Sequence, residues 1–178
     1  MLLPTDTVYG LSAVPTQEAA ERLYALKGRA TAQPTALLAG SVDALLAAAP
    51  ELDRAVLERL LPGPFTLVLP NPAGRFPWLT GGRPGPLGVR VPELPAPAAA
   101  VLRAVGCVLA TSANEPGGPS PASLDEVPAR IRVGCAAEVD AGPLPGRPST
   151  VLDLTGPEPR VLREGAVAAT EALARLRA

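Results

Sequence analysis

Apolar positions along this chain follow two different periods, and the periods alternate. From Thr16 to Lys27 they fall at Ala19, Ala20, Leu23 and Leu26, one face of a helix, with Thr16 placed as the N-cap. Thr35 to Ala39, Phe65 to Leu69, Leu87 to Val91, Cys107 to Ala110, Thr150 to Leu154 and Arg160 to Leu162 are short apolar or alternating runs of strand length. Leu2-Leu3 is a short apolar start ended by Pro4. Ser41 caps a helix reaching about Ala49, and a second helix runs from Pro50 to Leu61, proline being tolerated in a first turn. Pro62-Gly63-Pro64 breaks the chain. Ala96 to Val105 reads as a helix that stops at Gly106, and the last helix covers about Val167 to Arg177. No internal repeat is visible. Strands alternating with helices predict an α/β domain around a central sheet.

Composition narrows the chemistry. With 178 residues, 47% of them apolar, the chain fills a substantial core. A net charge of −1 excludes a protein whose main business is coating nucleic acid or an anionic membrane. No signal peptide or long apolar run is present, so the reading is cytoplasmic, with no membrane partner. Cys107 and Cys135 stand 28 residues apart without a Cys-x-x-Cys pattern. They read as buried thiols, and no metal site is expected. Histidine is absent altogether, which removes the usual general base at neutral pH. Of the 16 basic residues one is a lysine, Lys27, where a helical pattern ends and a loop opens. A place that keeps lysine in so arginine-biased a chain is a candidate for a compact ammonium.

Three polar loops carry the remaining candidates. They are Pro4-Thr5-Asp6-Thr7-Val8-Tyr9-Gly10-Leu11, then Lys27-Gly28-Arg29-Ala30-Thr31-Ala32-Gln33-Pro34, then Thr111-Ser112-Ala113-Asn114 directly after an apolar strand. Ligands of open α/β sheets sit outside the carboxyl ends of strands, which favours the third loop. Each also has an ordinary account: a capped turn, a solvated helix end, a turn. Residue chemistry alone stops at an anion-binding α/β domain.

In this order and spacing, those loops together with Pro62-Gly63-Pro64-Phe65-Thr66, Val89-Arg90-Val91-Pro92, Pro119-Ser120-Pro121, Pro148-Ser149-Thr150-Val151 and Leu162-Arg163-Glu164-Gly165 resemble the YrdC-like family, the threonylcarbamoyl-AMP synthases. The likeness runs from residue 2 to about 170. It implies a twisted mixed α/β sheet with flanking helices and a large basic cavity, within one YrdC-like domain over residues 1–178. The resemblance leads one to expect a helix and a full strand before the Pro-Thr-Asp/Glu-Thr turn, where this sequence offers three residues: either the start is misassigned or the first strand is truncated. The implied activity is L-threonylcarbamoyladenylate synthesis from L-threonine, bicarbonate and ATP with release of pyrophosphate, magnesium being carried by the ATP. A tRNA-threonylcarbamoyl transferase complex would use the product, and weak tRNA binding is a further implication.

By the same resemblance Lys27 and Arg29 are the catalytic cations. Arg29 grips the threonine carboxylate, Thr5, Tyr9 and Leu38 line the threonine end, and Lys27, Arg90, Ser112, Asn114, Ser149 and Arg163 meet the nucleotide. Leu38 stands where some members have a histidine, and Ala30 where a proline is usual. Two other readings remain at this point: a non-catalytic RNA-binding module, and the carbamoyl-transfer domain of a hydrogenase-maturation protein. Only five aromatic residues and no basic run count against the first, and the absence of Cys-x-x-Cys modules against the second.

Overall fold

Eight short strands carry the architecture: Leu2–Pro4 (β1), Tyr9–Ala13 (β2), Ala36–Ala39 (β3), Phe65–Leu69 (β4), Leu87–Arg90 (β5), Cys107–Ser112 (β6), Thr150–Asp153 (β7) and Arg160–Arg163 (β8). In the computed structural model they form one sheet in the order β1-β2-β6-β3-β5-β4-β7-β8. The structure describes residues 1–28, 30, 33–80 and 85–177. β3 with β5 and β4 with β7 are parallel, and the other neighbours are antiparallel. The helices are Gln17–Lys27 (α1), Val42–Ala48 (α2), Arg54–Glu58 (α3), Ala96–Val105 (α4), Ala129–Val133 (α5) and Ala169–Arg177 (α6).

Local chemistry sets the ends of these elements. Thr16 Oγ1 accepts from Ala19 N, and Gly28 takes the left-handed conformation at φ 69° that closes α1, where a Cβ would be strained. Ser41 Oγ accepts from Ala44 N at the start of α2. The helix expected from Pro50 to Leu61 is shorter than its apolar pattern. Asp53 Oδ1 accepts from Ala55 N, so the helix begins at Arg54 and ends at Glu58. Strand β2 lies where a polar turn was expected, and β6 continues through Thr111 and Ser112.

Alternation along the strands sends neighbouring side chains to opposite faces. Tyr9, Leu11, Leu37, Leu67, Val89, Leu109 and Leu152 share one core with Ala20, Leu23, Tyr24, Leu45, Leu57, Ile131 and Ala172, which belong to α1, α2, α3, α5 and α6. The opposite face meets α4 at one end only, where Leu3, Leu38 and Val108 pack on Ala98 and Leu102. The rest of that face is a cavity. Among the described residues no helix is long and apolar enough to cross a membrane.

Candidate active site

The cavity encloses about 520 Å³, and its floor is made by what the strands leave out. Ala36 stands opposite Ala110 on β6, and Gly88 lies against Ala36, so that a Cβ at Gly88 would sit 3.6 Å from Ala36 Cα. Gly10 adds a fourth small residue to the lining. Val68 and Asp153 continue this row, Gly88 pairing with Val68 and Val68 with Asp153. Leu38, Arg90, Thr66, Val151 and Arg163 form the next row, with Leu38 beside Arg90, Thr66 beside Val151 and Val151 beside Arg163. Small residues on central strands give depth, and the flanking row brings charge.

Lys27 is buried at 4% exposure at the end of α1. Its Nζ donates to Ser112 O at 2.6 Å, Asn114 O at 2.7 Å and Asn114 Oδ1 at 2.9 Å. An ammonium carries three donors, and this loop presents three acceptors to them. Ser112 Oγ donates to Asn114 Oδ1 at 2.5 Å, and Asn114 Nδ2 to Gly118 O at 2.5 Å. Lys27 thus fastens the segment that leaves β6 and brings a positive charge close behind it. A planar guanidinium would not reproduce this three-way fan.

Across the cavity, the Thr5–Val8 turn is closed by Thr5 Oγ1. It donates to Val8 O at 2.7 Å and accepts from Thr7 N and Val8 N, so Thr5 lines the cavity with its hydroxyl already engaged. Arg90 is buried, ion-paired to Asp6, and donates to Thr7 Oγ1 at 2.7 Å. Burial pulls its guanidinium below the ordinary arginine range, Asp6 opposes that shift, and the like charge of Arg163 adds to it. Arg163 is also lowered by burial; it donates to Ser149 O from Nη2 at 2.8 Å and to Ser149 Oγ at 3.2 Å. Ser149 Oγ in turn lies 2.8 Å from Thr66 Oγ1. Asp153 accepts from Thr155 Oγ1 at 2.6 Å and Arg160 Nη2 at 2.5 Å. The Thr155 hydrogen bonds, more than Arg160, hold its carboxyl at about 2.

The structure brings Thr5, Leu38, Arg90, Ser112, Ser149 and Arg163 to the lining of one cavity, from loops and strands far apart in the chain. Lys27 and Asn114 stand behind Ser112, joined to it by the hydrogen bonds above. Arg29 lies outside the described residues. Tyr9 is elsewhere: Gly10 faces the cavity, so alternation turns Tyr9 into the helical core. Its hydroxyl lies 2.9 Å from both Asp140 Oδ1 and Gly142 O and accepts from Ala141 N. Thr35, Thr80, Val68 and Asp153, and Thr66 and Leu162 of the quoted motif blocks, also line the cavity without having been assigned a site role. The alternation of β4, with Thr66 and Val68 on its less buried side, carried that signal. Among the described residues four buried side-chain atoms lack a hydrogen-bond partner, and two of them, Thr35 Oγ1 and Arg90 Nε, belong to cavity-lining residues.

An open mixed sheet with most of its helices on one face, and on the other a cavity whose lining includes Arg90, Arg163 and several hydroxyls, defines a mixed α/β protein. The chain belongs to the Sua5/YciO/YrdC family, whose sequence model, described as telomere recombination, matches residues 1–165. It is 37% identical over 161 residues to the threonylcarbamoyl-AMP synthase of Chromohalobacter salexigens, a match covering 87% of this chain and 85% of that one. Sua5 of Pyrococcus abyssi, in a crystal structure complexed with L-threonine, superposes with a TM-score of 0.85 at 32% identity over 98% of this chain. This chain spans 52% of that one. Escherichia coli YciO matches with a TM-score of 0.73 at 27% identity, covering 97% of this chain and 85% of that one.

Proposed function

We propose that this chain is an L-threonylcarbamoyladenylate synthase, a nucleotidyltransferase using L-threonine, bicarbonate and ATP. The observation that carries the reading is the single cavity lined by Arg90, Ser112, Ser149 and Arg163 above a floor of Gly10, Ala36, Gly88 and Ala110. The threonine amine condenses with bicarbonate, losing water, to give a carbamate. A carbamate oxygen then attacks the α-phosphorus of ATP, the bond to the β-phosphate bridge breaks, and pyrophosphate leaves. Every reactant except the amine is anionic, so positioning and charge stabilisation do most of the catalysis, and no histidine is needed.

In this reading Ser112 and Asn114, braced by Lys27, present the post-β6 segment to the phosphates. Arg90, Arg163 and Ser149 supply the facing charge and hydroxyl. Thr5 and Leu38 bound the threonine end, with Arg29 on the carboxylate. Magnesium would be held by phosphate oxygens and water, as is usual for that ion. A tRNA-modifying transferase would take up the product, and tRNA contact with this chain would be weak.

The test is pyrophosphate release from ATP with and without L-threonine and bicarbonate. Release should require both. Serine, lacking one methyl, should be disfavoured by only about 1–3 kcal/mol, and valine, lacking the hydroxyl, by more. Equal rates with threonine and valine would rule out threonine selection. Carbamoyl phosphate turning over in place of threonine and bicarbonate would favour the carbamoyl-transfer reading.

A further inference from the structure

Arg90 and Arg163 both line the cavity, and the like charge of Arg163 counts against Arg90. Such a pair needs a counter-ion. The fold supplies Asp6, whose carboxylate pairs with Arg90 from the side of the turn and is not part of the cavity lining. Its other oxygen accepts from Glu93 N at 3.3 Å, which ties the Thr5–Val8 turn to the chain leaving β5. Both partners are nearly buried, with side-chain exposures of 10% for Arg90 and 11% for Asp6. Arg90 is nevertheless incompletely satisfied, because its Nε is buried without a hydrogen-bond partner.

An asparagine or serine could brace this turn with comparable hydrogen bonds. What only a carboxylate adds is a fixed negative charge beside Arg90, outside the cavity lining. We infer that Asp6 is a built-in counter-charge that positions Arg90 and limits how tightly the cavity holds polyphosphate anions. The identity of the anion as pyrophosphate rests on the synthase reading above. An enzyme that releases pyrophosphate beside two arginines is slowed if it holds that product too strongly, and a neighbouring carboxylate offsets part of the attraction.

This role has a signature opposite in sign to a merely structural one. Removing a carboxylate that only shapes the turn would let Arg90 wander and would weaken anion binding. Removing a counter-charge should strengthen it. For charges about 8 Å apart at an effective dielectric near 20, partly screened, the gain is about 5- to 30-fold.

The experiment titrates inorganic pyrophosphate into the full chain, into Asp6→Asn and into Asp6→Glu by calorimetry. The Asn variant should bind about 5- to 30-fold more tightly, and the Glu variant within about twofold of the parent. Unchanged or weaker binding by soluble Asp6→Asn overturns the inference, as does a parent that does not bind pyrophosphate. Should the Asn variant melt too low for titration, the rise in Tm at one fixed pyrophosphate concentration replaces it. A rise larger than the parent's supports the inference, and an equal or smaller one overturns it. A parent that shows this binding pattern but no threonine-dependent pyrophosphate release would retain the counter-charge and lose the synthase reading.

Discussion

The same strands build two unlike faces. On the helical side Leu37, Leu67, Val89, Leu109 and Leu152 are wholly buried. On the cavity side their immediate neighbours are Ala36, Thr66, Gly88, Ala110 and Val151. One residue of displacement separates large side chains that fill space from small ones that leave it. Stability and function are thereby divided by parity along the strand. The cavity can be as deep as it is because the helical face carries the larger core, and the other face is packed only where α4 covers Leu3, Leu38 and Val108.

The sharpest way to break that division is to cut into each face separately. Leu67→Ala opens a hole among wholly buried neighbours and should cost about 2–5 kcal/mol of stability in denaturant unfolding. The surviving folded protein should keep near-parent turnover per folded molecule. A stability loss under 1 kcal/mol would mean that the helical face is not the one that holds the sheet.

Lys27→Arg probes the place where α1 reaches across to the cavity side. Three short hydrogen bonds from one ammonium cannot be rebuilt by a guanidinium, so the Ser112–Asn114 segment should shift. Turnover should fall about 30- to 1000-fold, equivalent to about 2–4 kcal/mol of transition-state stabilisation. Near-parent pyrophosphate release in the arginine variant would remove Lys27 from the catalytic machinery.

Gly88→Val sharpens the comparison from the other side. A new Cβ would stand 3.6 Å from Ala36 Cα and 3.7 Å from Ala36 Cβ, an ordinary contact. Valine suits a strand, so stability should change by about 1 kcal/mol or less, while the branched side chain occupies the floor. Turnover should fall about 10- to 100-fold at unchanged Tm. A variant with lowered Tm and normal turnover would place Gly88 with the packing side.

Much of this was legible in the chain, and the failures have a common cause. The Thr16 and Ser41 caps, the apolar runs of β3 and β4 and the breaks at Gly106 and Pro62-Gly63-Pro64 follow from local chemistry, and the structure matches them closely. Strand β2 was obscured because its cavity-side position, Gly10, is the kind of residue that marks a turn. The demand for an open floor overrode strand propensity there. The same oversight misplaced Tyr9: once Gly10 is known to face the cavity, parity sends Tyr9 to the helices. Pro50 to Leu61 has a helical pattern, but Asp53 offers a side-chain acceptor to the first turn and wins. Thr66 was recoverable from the alternation of β4. Arg90's dependence on Asp6 was not, because a contact between residues 84 positions apart leaves no local trace.

The smallest expected effect tests whether a charged side chain in the cavity floor contributes to stability. Asp153 lies in the floor row beyond Val68, and hydrogen bonds from Thr155 hold its carboxyl at about 2, well below the usual carboxylate range. A depressed pKa means the folded state prefers the ionised form. Its contribution is therefore complete above the unfolded pKa, near 4, and is lost as pH falls through about 2. Over that window the parent should lose about 1–2 kcal/mol relative to Asp153→Asn, allowing for partial screening. The two proteins should differ in denaturant midpoint at pH 7 and converge by pH 2. Parallel stability curves across that window would show that Asp153 adds nothing through its charge, leaving the contacts of α4 with Leu3, Leu38 and Val108 as the cavity face's share in holding the sheet.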